Sequence, residues 1–139
     1  MRRQRGQALV EAALVLPMLA LLVFGALELG RMAFLVQSLH NAARDGARYS
    51  AVPAAGTSDL PAVSSVQQRV AADLKASGVS LSPFLIAVNQ EVDISEGGLT
   101  TSFSQVKITY PFTFSTPLLS AILPHVTLTG LAVMRNETN

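Results

Sequence analysis

Hydrophobic residues are concentrated near the amino end of the chain. From Ala8 to Leu27, twenty consecutive residues include a single charged side chain, that of Glu11. A helix rises ~1.5 Å per residue, so a helix of this length covers the ~30 Å hydrocarbon core of a bilayer. The pattern therefore predicts one transmembrane helix over about residues 8–27.

A cleaved secretory signal peptide is the main alternative for this segment, because it too begins with basic residues. Its apolar region is ~7–15 residues long and precedes a cleavage site of small residues. The apolar run here is longer and continues into the sequence LELGRM, which favours a membrane span. Arg2, Arg3 and Arg5 precede the span and only Arg31 closely follows it, so the positive-inside rule predicts a cytoplasmic amino end and an extracytoplasmic remainder.

Beyond the span the pattern becomes that of an amphipathic helix. Apolar or small residues recur at spacings of four, three, four and three, at Leu35, Leu39, Ala42, Gly46 and Tyr49, as on one face of a helix. We expect this stripe to lie on a sheet, with Gly46 allowing close packing. On the other faces, Arg44, Asp45 and Arg48 are interpreted as a salt-bridged surface rather than a phosphate site. One continuous helix is predicted over residues 7–50.

The remaining residues, 51–139, predict a small α+β head. A second helix is expected over about Ala62–Ala76, with its apolar positions at Val63, Val66, Val70 and Leu74 and its end at Gly78. Alternating residues then predict three antiparallel strands, over Phe84–Ile94, Thr101–Phe114 and Val126–Arg135. In the second and third strands we expect the apolar face to run from Val106 to Phe114 and from Val126 to Met134. Glu96–Gly97–Gly98 predicts the first turn, and Pro117–Leu123 a short helical turn.

Composition and charge restrict the function further. The chain has 139 residues, of which 50% are hydrophobic and 14% charged, so it is too apolar to be disordered and too short for a multidomain enzyme. The absence of cysteine excludes disulfides and thiolate metal sites. A net charge of +1 offers no argument for nucleic acid as a partner.

No catalytic or metal-binding motif emerges from the sequence. His40 and His125 have no neighbouring ligand pattern, and the acidic residues Glu91, Asp93 and Glu96 lack the spacing of a calcium loop. Nucleotide-binding glycine loops and nucleophile motifs are absent as well. The sequence therefore predicts a protein that is not an enzyme and that has no cofactor, no metal and no small-molecule substrate.

Glu11 is the exception in the apolar segment. A carboxylate within a membrane helix is costly, so it indicates a functional site with a partner, although a residue about one turn inside the membrane can also snorkel to the interface. If the chain were cut between Gly6 and Gln7, Glu11 would become the fifth residue of the mature protein. A basic leader, a glycine before the cut, a glutamate at the fifth mature position and an apolar helix form the pattern of a type IV prepilin.

Residues 5–52 resemble the amino-terminal module of the TadE-like family, the minor pilin-like proteins of tight-adherence, or Flp-type, pilus machines. The resemblance rests on Gly6, Glu11 and Pro17 together with the segments ELGR at residues 28–31 and NAARDGAR at residues 41–48. The closing LAVMRNE, at residues 131–137, resembles the usual end of the family.

The resemblance implies a leader at residues 1–6, removed by a prepilin peptidase, and a minor pilin or pseudopilin with a type IV pilin-like fold in the bacterial inner membrane. Its partners would be other pilin-like subunits and the pilus assembly platform. In physical terms, the new ammonium group of Gln7 could pair with Glu11 of a neighbouring subunit. Gly25 would permit close helix packing, and Pro17 would permit a kink.

Two other interpretations stay open. The chain could be an uncleaved single-span anchor whose exported head binds a ligand or a partner protein, in which case Met1–Gly6 would be retained. It could also be an exported enzyme that keeps its signal helix, against which the lack of a catalytic constellation argues.

Overall fold

The computed structural model describes the backbone of residues 2–53, 57–79, 85–96, 99–116, 120–121 and 124–137, and the side chains of these residues except 2–5, 96 and 99. The predicted turn at Gly97–Gly98 and most of the predicted helical turn at Pro117–Leu123 lie outside these ranges. Within the latter, Ser120 and Ala121 are helical.

The described residues form two helices and one sheet. Helix α1 spans Arg2–Ala51 and helix α2 spans Val63–Ala76. They are followed by the strands β1 (Leu85–Glu96), β2 (Leu99–Phe112) and β3 (Val126–Arg135), which form an antiparallel sheet in the order β1-β2-β3. The predicted α+β class with a long helix, a short helix and three antiparallel strands is confirmed.

The chain divides into two compact units. Unit 1 consists of Met1–Ala33 and Thr113–His125, and unit 2 consists of Phe34–Phe112 and Val126–Asn139. Helix α1 thus contributes its first part to unit 1 and its last part to unit 2. The connection between β2 and β3 belongs to unit 1, together with the apolar part of the helix.

In unit 1 the apolar part of α1 is exposed on all sides. Leu9, Leu14, Met18 and Leu22 each expose 69–71% of their surface, and the helix is long and apolar enough to cross a membrane, with a mean hydropathy of 2.3 in its apolar window. An exposed apolar surface of this size is unfavourable in water and favourable in lipid. This part of the chain has the character of a single-pass membrane anchor.

In unit 2 the last turns of α1 bury a face made mostly of small residues. Leu39, Ala42, Ala43 and Ala47 are between 0% and 4% exposed, and Gly46 lies on the same face. The prediction that this face extends to Tyr49 is wrong, because Tyr49 is 38% exposed. Its ring instead lies beneath the guanidinium of Arg69 at 5.3 Å from the ring centroid, where an aromatic edge can stay in water.

Helix α2 packs through one stripe and ends as expected. Val66, Val70 and Leu74 are fully buried, whereas Val63, predicted for the same stripe, is 39% exposed because it occupies the first turn. At the other end Gly78 has a φ of 73°. The Gly78 amide donates to the Lys75 carbonyl and the Val79 amide to the Leu74 carbonyl, each at 3.0 Å, which is a Schellman cap.

The strands have nearly the predicted bounds, and their inner face completes the core. Val106, Ile108 and Phe112 of β2 are at most 1% exposed, and Leu128 and Ala132 of β3 are buried. Phe114, predicted on the same face, lies beyond the end of β2. Met134 was also expected inside but is 40% exposed; it pairs with Ser104 at the end of the sheet where polar groups are buried in place of apolar ones.

Candidate functional site

The residues predicted for processing and assembly lie on the exposed part of α1. Gly6, Gln7 and Glu11 are all exposed, and a Cβ added at Gly6 would meet no atom within 4 Å. Within the described part of the chain, no hydrogen bond or ion pair involves Glu11. Any partner that compensates the Glu11 carboxylate therefore comes from outside the described residues.

The three residues predicted for helix packing or a kink fall in two different environments. Pro17 is exposed and Gly25 half-buried, and a Cβ added at Gly25 would meet nothing within 4 Å. At Gly46 an added Cβ would overlap Cγ2 of Val70 and lie 3.6 Å from Cγ1 of Val106. Gly46 is thus a packing residue of unit 2, whereas Pro17 is exposed and the space beside the half-buried Gly25 is open. Helix α1 is continuous through Pro17, and a kink during assembly stays a prediction.

Just beyond the predicted span, Glu28 forms the best defined polar site of unit 1. The residue is only 6% exposed. Its Oε1 atom accepts hydrogen bonds from the backbone amides of Ser115, at 2.6 Å, and Thr116, at 3.2 Å, and from the Thr116 hydroxyl at 3.4 Å. One carboxylate oxygen of α1 thereby holds the beginning of the connection between β2 and β3.

Arg31 completes this arrangement one helical turn later. Its Nε lies 3.4 Å from Oε2 of Glu28, and its guanidinium donates to the Ser115 hydroxyl at 2.9 Å and to the Thr113 carbonyl. The i,i+3 spacing of the two residues was visible in the ELGR segment. Nothing local in the sequence indicated that residues 113–116 would lie against them, because the partners are more than eighty positions away.

A cleft of about 370 Å³ lies beside this pair and is lined by Phe24, Leu27, Glu28, Arg31, Ser115 and Thr116. Phe24 and Leu27 are 53% and 64% exposed. The Oε2 atom of Glu28 is buried and has no hydrogen-bond donor among the described residues, although it keeps its ion-pair contact with Arg31. The cleft therefore combines apolar walls with one buried acceptor atom.

A second polar cluster lies at the end of α1 in unit 2. The Gln90 amide donates to the Ser50 hydroxyl at 3.0 Å and to the Pro61 carbonyl at 2.8 Å. The Ser104 hydroxyl donates to the Asn136 amide oxygen at 2.7 Å, and the Asn136 amide nitrogen donates to the Gln90 carbonyl at 2.9 Å. We call these four residues, Ser50, Gln90, Ser104 and Asn136, the buried polar cluster.

The buried polar cluster depends on an irregularity in β1. Its register with β2 shifts between Asn89 and Val92, so one extra residue on β1 forms a bulge there. Next to the cluster, the segment after β3 is also bonded to α1, because the Glu137 amide donates to the Ala51 carbonyl at 2.9 Å. Alternation predicted the strand to Arg135, but Asn136 and Glu137 were indicated only by the resemblance of LAVMRNE, because alternation along a strand does not reveal a bulge.

The charged surface of α1 in unit 2 also differs from the prediction. Asp45 forms its ion pair across to α2, with Oδ2 3.4 Å from Nε of Arg69, rather than with Arg44 or Arg48 of its own helix. Asp73 of α2 also lies near this pair. Burial raises the pKa of Asp73, as do a hydrogen bond that protonated Asp73 donates to Asp45 and the negative charge of Asp45, whereas the positive charge of Arg69 lowers it. A packed neighbouring helix has thus replaced the expected pairing along α1.

No group of three potential metal ligands occurs among the described residues. The sequence comparison instead locates the functional signal on α1. Residues 6–48 match the family model of the TadE-like proteins. The resemblance is therefore confirmed over this segment, which includes every predicted site residue as well as Glu28 and Arg31.

The TadE-like match associates this segment with the Tad pilus and with the membrane, and the family is generally structural rather than enzymatic. No curated protein and no solved structure matches the chain. The likeness to type IV pilins thus stays a prediction. Residues 49–139 lie outside the match, so the functional assignment depends on α1.

Proposed function

We propose that this protein is a minor pilin or pseudopilin that helps to assemble a tight-adherence pilus after a prepilin peptidase removes residues 1–6. The observation that carries the proposal is the TadE-like match over residues 6–48, which begins at the glycine of the expected cleavage site. The protein acts as a structural subunit in the inner membrane, with its head outside the cytoplasm and other pilin-like subunits and the assembly platform as its partners.

The exposed surface of α1 supports this role. Large apolar side chains cover the helix on all sides through Leu27, so it can pack against lipid first and against helices of other subunits later. In lipid, the association of helices depends on close van der Waals contact between them. The open space at Gly25 allows a helix of another subunit to approach α1 closely.

Glu11 and Gln7 provide the charge pairing in this proposal. Cleavage after Gly6 gives Gln7 a free ammonium group. The ammonium group of one subunit can then approach Glu11 of a neighbouring subunit. Each charge is costly in lipid by itself, and pairing reduces that cost. The absence of a partner for Glu11 within the described chain is what such an intermolecular contact requires.

Cleavage is tested by intact-mass measurement of the membrane-purified protein after coexpression with a prepilin peptidase. We expect a mature form that begins at Gln7, and a full-length form for Gly6→Val, because a side chain before the bond would crowd the peptidase. Gly30→Val is the matched control, since Gly30 is also exposed and free of neighbours within 4 Å; it should be cleaved normally.

Retention of Met1–Gly6 by the wild-type chain in the presence of active peptidase would favour the uncleaved anchor instead. Efficient cleavage of Gly6→Val would equally contradict the proposed processing site.

A further inference from the structure

The connection between β2 and β3 carries no charged side chain. Its residues 113–124 read TFSTPLLSAILP, and from Ile108 to Met134 the chain contains no aspartate, glutamate, lysine or arginine. Glycine, asparagine and aspartate, which are common in connections that lie in water, are absent from residues 113–124. The segment before α2, residues 52–62, contains both Gly56 and Asp59. The connection between β2 and β3 therefore has an unusually apolar composition for a loop of a water-facing head.

Hydrogen bonds hold the first part of this connection beside the end of the membrane span. Glu28, the first residue after the predicted span, accepts from the backbone amides of Ser115 and Thr116. Arg31, one helical turn further on, donates to the Ser115 hydroxyl and to the Thr113 carbonyl. Two side chains of α1 thus hold the connection where the predicted span ends, a position that corresponds to the boundary between the hydrocarbon core and the lipid headgroups.

The connection forms a helical turn directly after these held residues. The Ser120 amide donates to the Thr116 carbonyl at 3.0 Å, and Ser120 and Ala121 are helical. Ala121 is exposed. Thr116 lines the same cleft as Phe24 and Leu27 of α1, which are 53% and 64% exposed. Within unit 1, the uncharged turn therefore begins against the exposed apolar surface of α1.

We propose that the connection between β2 and β3 is a second membrane-contacting element, whose helical turn at Ser120–Ala121 lies in the interfacial layer of the bilayer next to α1. Lipid is the partner of this surface, because the connection is held to a helix whose exposed apolar side chains themselves suit lipid. An apolar segment in the interface buries apolar area among headgroups and acyl chains without crossing the membrane. Unit 1 then has two contacts with the bilayer, the span and this connection.

This inference goes beyond the proposed pilin function. It requires that α1 crosses the membrane, and it does not depend on cleavage after Gly6 or on pilus assembly. A chain that keeps its leader would contact the bilayer in the same way, so failure of the two proposals can be distinguished.

The test measures the surroundings of single spin labels on the full chain in phosphatidylcholine bilayers. The chain contains no cysteine, so one label can be attached to Ala121→Cys, to Leu22→Cys on the exposed span, or to Thr129→Cys at an exposed position of β3. Electron paramagnetic resonance compares collisions of the label with oxygen and with a neutral, polar nickel chelate. Oxygen dissolves preferentially in hydrocarbon, whereas the polar chelate stays in water.

We expect the ratio of oxygen to chelate collisions at Ala121→Cys to shift from the value at Thr129→Cys toward the value at Leu22→Cys. Leu22→Cys gives the reference for lipid, and Thr129→Cys is the matched control for an exposed residue of the head. Quenching by brominated lipids provides a second measurement. A fluorescent label at Ala121→Cys should lose intensity in bilayers of lipids brominated near the headgroup, and the same label at Thr129→Cys should not.

A collision ratio at Ala121→Cys equal to that at Thr129→Cys would place the turn in water and overturn the proposal. Few collisions with either reagent would also overturn it, because the turn would then be covered by protein, either the head or another subunit. A water-like ratio at Leu22→Cys would contradict the membrane span and this proposal with it. Retention of residues 1–6 would contradict only the proposed cleavage.

Discussion

The two parts of helix α1 differ in which of their apolar residues are exposed and which are buried. In unit 1 its large apolar side chains are exposed, with Leu9 at 71% and Met18 at 70%. In unit 2 the same helix buries Leu39 and mostly small residues, with Ala43 and Ala47 at 0%. One helix thus presents mainly large apolar side chains outward in unit 1, as suits lipid, and a face made mostly of small residues to the core of unit 2, as suits close packing.

The polar residues differ between the two units in a related way. In unit 1 the carboxylate of Glu28 is buried with one oxygen that lacks a hydrogen-bond donor among the described residues. In unit 2 the neutral groups of the buried polar cluster bond one another. In unit 2 the neutral groups satisfy one another by hydrogen bonds, whereas in unit 1 the charge of Glu28 is compensated by the ion pair with Arg31.

The largest expected effect is on the stability of unit 2, and it distinguishes substitution of Gly46 from substitution of Gly25 in the same helix. Gly46→Leu should lower the free energy of unfolding of unit 2 by about 3 kcal/mol, because the new side chain would overlap Val70 in a packed core. Gly25→Leu should leave it unchanged, since nothing lies within 4 Å of a Cβ at that position. Thermal unfolding of both variants in detergent checks the contrast. Similar stability of the two would mean that the α1 face at Gly46 is not packed.

A smaller loss is expected from the buried polar cluster. Asn136→Ala removes both the acceptor for Ser104 and the donor to the Gln90 carbonyl, and leaving buried polar groups unpaired costs ~1–3 kcal/mol. Asn41→Ala, at an exposed position of α1, is the control and should cause no loss. Denaturant unfolding monitored by circular dichroism measures both. An unchanged midpoint for Asn136→Ala would show that the cluster does not hold the chain end.

A still smaller effect concerns Asp73 and depends on pH. Its pKa in the folded state is raised above the ordinary value of 3.8, so the folded protein binds a proton more readily than the unfolded chain. Stability from this group is therefore fully present below pH 3.8 and is lost as the pH rises through the raised pKa. Asp73→Asn should lack this component, so wild type and variant should differ in the slope of stability against pH in that window. Parallel curves would contradict the raised pKa.

The smallest effect on folding is expected at Glu11, where the change should appear only in assembly. Glu11→Gln keeps the size of the side chain and removes a charge from lipid, so insertion and the stability of unit 2 should not suffer. Pairing with the ammonium group of a neighbouring subunit would lose its charge-assisted part, worth ~1.5–3 kcal/mol. Copurification of pilin partners and surface attachment of cells should both decrease. Normal results in both assays would leave Glu11 as a carboxylate that snorkels to the interface.

Much of the architecture could be predicted because its determinants are local. The twenty apolar residues of the span, the 3.6-residue stripe with Val66, Val70 and Leu74, and the glycine at position 78 each act within a few residues of chain. The strand Val126–Arg135 was likewise recognisable from its alternation, and its bounds agree with the structure. The family resemblance was confirmed over residues 6–48, where its motifs lie on one continuous helix; the resemblance of LAVMRNE lies outside the match and stays a prediction.

Sequence by itself determined the helix that suits lipid, the order of the elements and the position of Glu11 and Gly6 on an exposed segment. Only the tertiary structure decided that Glu28 and Arg31 hold residues 113–116, that Asp45 pairs with α2, and that a bulge turns Gln90 toward Ser50. Local patterns report which face of an element is apolar, because that property repeats along the chain. These contacts join residues between 24 and 88 positions apart. They depend on strand register and on how the connecting segments bring the elements together, and no repeat in the sequence encodes these.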